Sequence, residues 1–582
     1  MDLDYGIIHS GYRHLKYARC KYSMYNIKSF TRRVLRNETF AFQIILNSNE
    51  EFLCSLNEFN NISWKGLINR IRVSIDLNDD TIHENVKLSL VDYIVDDNGS
   101  LTADIISDKD SLLVEGGIAQ LIWVKGKVPL GFNGSFNFNI NLFYTKEYDD
   151  EELIGSIPCE IKVLDYDLPS LQESPFYLDL WQHLSSLARH YNVPIFSDDH
   201  FYIIENFIKE LASAGQKTIT IVASDFPWGG QGCFKVHKNA SNLFEHNIVS
   251  VRRDVNGELY LDFTSLDRYI DICFKYGIDK EIDIFGLIGN WHGMDFKSPV
   301  YPEYKDPFRV SYYDEGNGKI KYISSKDELH LYIKLLLNHF INKGYIEKTR
   351  IFCDEPNNPE LYEESKRFIS STVPGVTLKY KCAVHDPRFL LKPDSGITDS
   401  SIFLPMIGER FEKFEEVRES ILGKEDSITW FVCCYPQRPN QFIASPPLES
   451  RLVGHITYML KASGFLRWNY CLYTEDVYNN PSYKYPSWVA GDTFFVYPGS
   501  NMKPVSSIRW ENMKMGIEEY TLMKMLEDKG YSYEVISGLG LYDITGSISS
   551  MKGDARSFKM GYSLSQNDYE VFRENLINLL LK

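Results

Sequence analysis

The sequence predicts a multidomain chain: an N-terminal β-sandwich followed by a (β/α)8 TIM barrel with a small C-terminal extension. Three observations carry this. At 582 residues the chain exceeds one ordinary domain. Up to about residue 165, short strand-like runs alternate with Asn, Asp and Gly clusters, the pattern of a sandwich. Beyond Leu168-Pro169-Ser170, eight apolar runs alternate with helical patterns, the pattern of a barrel. The expected divisions are residues 1–167, 168–530 and 531–582, the last a small appendage packed on the barrel.

In the first region, residues 39–46, 118–124 and 157–164 are strand-like. Phe136, Phe138, Ile140 and Leu142 alternate with polar residues, the period of a half-buried strand. In the second, the eight strands are expected at 177–181, 218–224, 281–288, 350–353, 378–384, 401–406, 428–434 and 464–470. Helices are expected over 201–214 and 263–276, stopped by Gly215 and Gly277. Ser325 and Glu328 form a capping-box pattern ahead of a helix over 329–342. Further helices are expected over 360–370, 409–422, 448–462 and 507–527, the last closing the barrel. Two strand-like pieces and a helix over 568–580 complete the chain. An open doubly wound sheet is the rival, but no glycine-rich phosphate loop follows the first strand.

A net charge of −17 argues against nucleic acid and against an anionic membrane surface as partners. No signal peptide and no membrane-spanning apolar run is visible, so a cytoplasmic location without membrane insertion is expected. The ten cysteines are scattered without a CxxC pair, which suits reduced, mostly buried thiols. No residues at ligand spacing indicate a metal, and no cofactor is expected. There is no GxSxG elbow.

Barrel enzymes carry their chemistry at the C-terminal ends of the strands. Strand four, Arg350-Ile351-Phe352-Cys353, runs into Asp354 and Glu355 and stops at Pro356, which biases Glu355 towards an extended backbone. Two carboxyls held side by side resist ionising together, so one is pushed up, giving an acid and a base suited to glycosidic cleavage. Strand two leads to Asp225 and Trp228, and strand three to Asn290 and Trp291. Strand seven leads to Tyr435 and Arg438. Strand eight leads to Trp468, Asn469, Tyr470 and Tyr473, and Asp492 follows. Aromatic faces cover the C–H faces of sugars while amides and acids bind hydroxyls, so this rim has a carbohydrate site's composition.

These residues resemble glycoside hydrolase family 123, the β-N-acetylgalactosaminidases. The resemblance rests on Phe352-Cys353-Asp354-Glu355-Pro356, on Gly491-Asp492 through Tyr497-Pro498, and on Ser507-Ile508-Arg509 with Gly516-Ile517-Glu518. Ile122-Trp123-Val124 and Val128-Pro129 extend it into the first region. Glu519 stands where the family pattern has Asp. The resemblance implies that Glu355 is the general acid and base, and that Asp354 orients the substrate's 2-acetamido group. That group would attack the anomeric carbon through an oxazolinium intermediate, with retention. It implies an exo-acting enzyme on β-GalNAc-terminated glycans or glycolipids. Two alternatives stay open: a retaining glycosidase with a carboxylate nucleophile, Asp225 or Asp492 being the candidates, and a carbohydrate-binding protein without turnover.

Overall fold

Phe136, Phe138, Ile140 and Leu142 are all buried on one side of strand Ser135–Lys146, as their alternation requires. This is a computed structural model; it describes residues 1–582 except 57–68, 78–81, 147–148, 228–243, 289–309, 357, 386, 391–396, 422–426 and 484–487. Ser135–Lys146 pairs with Asn69–Leu77 and Glu152–Asp167 inside a six-stranded sheet. A five-stranded antiparallel sheet, with Thr39–Asn47 and Gln120–Lys127 at its centre, turns Phe42, Ile44, Ile122 and Val124 towards it. The two sheets share one apolar core.

From residue 177 the expected eight strands appear as one parallel sheet. In chain order they are Tyr177–Leu180, Thr218–Val222, Glu281–Phe285, Thr349–Asp354, Lys379–Val384, Ile397–Phe403, Ile428–Phe431 and Gly464–Arg467, hereafter strands one to eight. Each pairs with its sequence neighbour from two round to eight, and eight pairs with one. The seam between one and two has a single bridge, Leu178 to Gln216. Side-chain amides do the rest there: Gln216 accepts from the Leu180 amide at 2.9 Å and Gln182 from the Thr220 amide at 2.8 Å. The result is a nearly closed eight-stranded parallel barrel.

The helices follow their local signals. Ser197 caps Asp198–Ser213 by accepting from the His200 amide. Ser325 caps Lys326–Asn342, and Glu328 reaches back to the Ser324 amide at 3.2 Å. Asn358 and Pro359 open Pro359–Ser371. Gly454 of Leu448–Met459 faces Gly516 of Ile508–Asp528 so closely that a Cβ on Gly454 would lie 1.9 Å from the Gly516 carbonyl oxygen.

Several expectations need correction. Strand six starts at Ile397 and ends at Phe403, and Leu404–Glu409 is already helical. Pro405 in the first helical turn cannot donate to a ladder but suits a helix start. The tail forms no two-stranded ladder among the described residues: it has the short helices Tyr533–Ser537 and Leu541–Thr545 and the isolated bridge Lys552 to Lys559. Tertiary contact overrides local propensity: the Tyr533 ring stacks on Tyr458 at 5.3 Å and its hydroxyl donates to the Met459 carbonyl at 3.1 Å. A small four-stranded sheet, built from segments after strands two and three, has no counterpart in the sequence reading. Between strands five and six the described residues form only the 3-10 turn Pro387–Leu390.

Candidate active site

The floor of the site is an apolar layer to which every barrel strand contributes. Trp181 follows strand one, and Val222, Phe285, Phe352, Ala383, Phe403, Phe431 and Leu466 come from strands two to eight. Phe285 and Phe352 stack at 4.3 Å with Trp181 edge-on to both. Phe403 and Phe431 lie 5.2 Å apart.

Below this layer the barrel holds a buried ion cluster that the sequence reading missed. Lys381 of strand five donates to Asp179 of strand one at 2.6 Å, and to Glu281 and Asp283 of strand three at 2.6 and 2.9 Å. Arg350 of strand four meets Asp399 of strand six at 2.5 Å, and Asp399 also accepts from the Ser427 amide and hydroxyl. All these side chains are buried. They lock non-neighbouring strands across the barrel, and one unpaired member would be costly there.

Above the layer stand the two acids. Asp354 ends strand four, opposite Ala383 of strand five. It is half-buried, and desolvation, then the charge of Glu355, push its carboxyl well above the ordinary range. The Glu355 amide donates to the Ala383 carbonyl at 3.0 Å, one step beyond the strand. Its φ is +46°, so the extended backbone expected before Pro356 is not adopted. A left-handed φ on a residue other than glycine is strained, and surrounding contacts must hold it. One such contact is visible: Glu355 Oε1 lies 2.6 Å from Nε2 of His385, the residue after strand five. Burial pulls the His385 imidazole down, but the hydrogen bond and charge of Glu355 prevail and raise it. Its ring stacks on Phe403 at 4.7 Å. Reading the exit of strand five as closely as that of strand four would have found His385.

The other expected residues separate into groups. Tyr435 and Trp468 pack on the same apolar layer, with Trp488 5.2 Å from Trp468. Tyr435 and Arg438 line a cavity of about 750 Å³ together with Asp97 and Asn98 of the N-terminal region and Arg556 of the tail. Cys433, which also touches the layer, has its thiol raised by Cys434 at 3.9 Å, then by burial and by the charges of Glu355 and Asp492. Asp492 is fully buried: Arg467 donates to it at 2.8 Å and Trp468 at 3.2 Å. Burial raises it to about 6 against the pull of Arg467. Asn469 is buried and donates to the Asp492 carbonyl. Tyr470 and Tyr473 are not brought to the acids. Their hydroxyls donate to the carbonyls of Phe207 and Val496, within the packing around the barrel. Trp228, Asn290 and Trp291 lie outside the described residues. Asp225 is buried and accepts from the Ser311 amide at 2.9 Å.

Paired acids on an aromatic-floored barrel end are equipment for sugar chemistry, and comparison with known proteins agrees. The profile described as glycoside hydrolase 123, catalytic domain, matches residues 181–526, more than half of the chain. The chain belongs to glycoside hydrolase family 123. A solved family 123 glycoside hydrolase from Clostridium perfringens, analysed for glycolipid glycan hydrolysis, superposes with a TM-score of 0.72 at 19% identity. That match covers 99% of this chain and 97% of the other. A candidate glycoside hydrolase from Bacteroides vulgatus matches at a TM-score of 0.31 and 9% identity, over 85% of this chain and 78% of the other. A maltogenic α-amylase from Thermotoga neapolitana matches at 0.30 and 12%, over 60% and 77%. No curated protein sequence matches the chain.

The motifs shared with family 123 are also explained by the structure. Ser507 caps Ile508–Asp528 and donates to the Phe495 carbonyl at 2.6 Å. Arg509 bonds both carboxyl oxygens of Asp104 at 3.2 and 3.0 Å, tying the barrel to the N-terminal sheets. Gly516 permits the helix crossing described above, since its own Cβ would lie 2.1 Å from the Arg451 carbonyl oxygen. Glu519 grips Arg451 and reaches His455 at 3.1 Å, so Glu in place of Asp serves a buried ion pair. No helix among the described residues is long and apolar enough to cross a membrane.

Proposed function

We propose that this family 123 glycoside hydrolase is an exo-acting retaining β-N-acetylgalactosaminidase that works by substrate assistance. The observation that carries the reading is the placing of two adjacent acids at one strand end: Asp354 closes strand four, half-buried, and Glu355 follows one step beyond it with its side chain 29% exposed and held by His385. Glu355 is the group to protonate the glycosidic oxygen and later to accept a proton from water. Asp354 is the group to hold the acetamido N–H and to face the oxazolinium charge. The nucleophile is tethered to the substrate, which is worth roughly 7–11 kcal/mol of the barrier. Neither acid then has to reach the opposite ring face, so neighbours in sequence suffice.

The alternative of a carboxylate nucleophile draws little support from Asp225 and Asp492, since both are buried and engaged. A binder without turnover draws no support from the family, whose matching profile describes a catalytic domain. In this reading Tyr435, Arg438 and Trp468 contact substrate, and residues 168–530 act as the catalytic unit between the region 1–167 and the appendage 531–582. The substrate class to try first is a β-GalNAc-terminated glycan or glycolipid.

The deciding experiment varies the acetyl group. Rates should fall steeply through mono-, di- and trifluoroacetyl substrates, and a thiazoline mimic should bind far tighter than substrate. A flat series, or a trapped glycosyl-enzyme, returns the case to a carboxylate nucleophile. Parallel assay of aryl β-N-acetylgalactosaminide and aryl β-glucoside separates both from a binder.

A further inference from the structure

The geometry points to His385 as a positioning residue for Glu355, and to the two side chains sharing a proton as one titrating unit. The inference rests on the reading of Glu355 as acid and base.

His385 is placed for this by the fold. Strands four and five pair in register up to Asp354 and Ala383, so the residues that follow them, Glu355 and His385, emerge side by side. The imidazole is fixed on its apolar side by Phe403, with Phe431 6.1 Å away. Its Nε2 faces Glu355 Oε1 at 2.6 Å, just under the roughly 2.7–2.9 Å usual for a charge-assisted N–H···O bond. The ring therefore fixes the orientation of the carboxyl that is to protonate the leaving group. The left-handed backbone of Glu355 turns the carboxyl towards strand five, and the imidazole is one contact that keeps it there.

The same contact couples two titrations. With one proton on the pair, the forms with charged imidazole and carboxylate, or neutral imidazole and carboxylic acid, differ only in where that proton sits. The second form is the competent acid. After it protonates the glycosidic oxygen, both groups are neutral imidazole and carboxylate, and the attacking water restores the proton as its C–O bond forms. Loss of the last proton from the pair then sets the alkaline limb of activity, and that value belongs to the pair. The other groups facing it among the described residues are Asp354 on strand four and the Cys433 thiol after strand seven. Strand six presents Phe403. Glu355 supplies both the hydrogen bond and the charge that raise His385.

The test uses the full chain with H385Q and H385A. Gln keeps a donor for Oε1 but cannot titrate. H385Q should retain most of kcat at its own optimum, while its alkaline limb, no longer set by an imidazole, moves down by about one pH unit or more. H385A should lose about 10–100-fold in kcat on an alkyl glycoside, part of the 10²–10⁴-fold a general acid supplies. On a dinitrophenyl glycoside, which leaves without help, it should lose little. An unmoved alkaline limb in H385Q, or equal losses on both leaving groups in H385A, overturns the proposal. An NMR titration of the His385 ring needs no turnover. Its pKa should fall in E355Q, and an unchanged value overturns the coupling. If the wild-type chain cleaves no hexosaminide while that titration still shifts, the pair is real and the reading of its chemistry has failed.

Discussion

At the scale of single residues the proposed mechanism gives the two acids different jobs, so their variants should fail differently. E355Q removes the proton donor, and its loss should be severe for alkyl leaving groups, about 10²–10⁴-fold, and mild for acidic phenols. Equal losses across leaving groups would exclude Glu355 as the acid. On the proposed mechanism Asp354 must be ionised to face the oxazolinium. Because its pKa is raised, activity should fall with decreasing pH through a value above the ordinary carboxylate range of about 3.9. D354N should lose this acid limb together with activity. The same shift has a stability consequence. Between the unfolded pKa and the raised folded one, the folded state binds more protons, so folding stability falls as pH rises through that window. The penalty grows across the window and is complete above it, so D354N, which carries no charge, should raise Tm there. A lower Tm would mean that Asp354 is stabilising.

At the scale of elements, the crossing of Leu448–Met459 over Ile508–Asp528 depends on two glycines. A methyl at residue 454 would sit 1.9 Å from the Gly516 carbonyl oxygen, inside any allowed contact, so the helices must part. G454A should cost about 1–3 kcal/mol in urea unfolding, as overpacking does. A variant as stable as the parent would show that the helices slide freely. The same crossing positions Arg451, whose partner Glu519 lies one turn along the facing helix, so the close approach and the ion pair depend on each other. The starts of Lys326–Asn342 and Ile508–Asp528 were legible in the sequence because Ser325 and Ser507 act locally on the next turn. The end of strand six and the tail's short helices were not, because a neighbouring element decides them.

At the scale of the molecule, the N-terminal sheets are fastened to the barrel and to the tail helix Gln566–Leu580 through buried charges. Asp104 meets Arg509 and the Tyr497 hydroxyl, Glu38 meets Arg573, and Thr39 donates to Glu518. Breaking one partner leaves the other buried and unpaired, which costs about 3–5 kcal/mol. D104A should lose that much, and the wild-type chain should unfold in one calorimetric transition. A separate early transition for the N-terminal sheets would show that these pairs do not couple the regions.

The sequence alone determined the eight strands of the barrel and most of its helices, because their signals are periodic or local. It also determined Asp354 and Glu355, because a strand that runs into two acids and a proline announces its own end. Tertiary structure decided the rest. Asp179, Glu281, Asp283 and Lys381 look like stray charges in apolar strands until the barrel curls and brings strands one, three and five face to face. Tyr470 and Tyr473 follow strand eight just as Trp468 does, yet packing turns their hydroxyls to backbone carbonyls. His385 follows an apolar strand as Glu355 does, but nothing in its own neighbourhood names its partner. It becomes Glu355's partner only because strands four and five pair in register, and register is a property of the folded sheet.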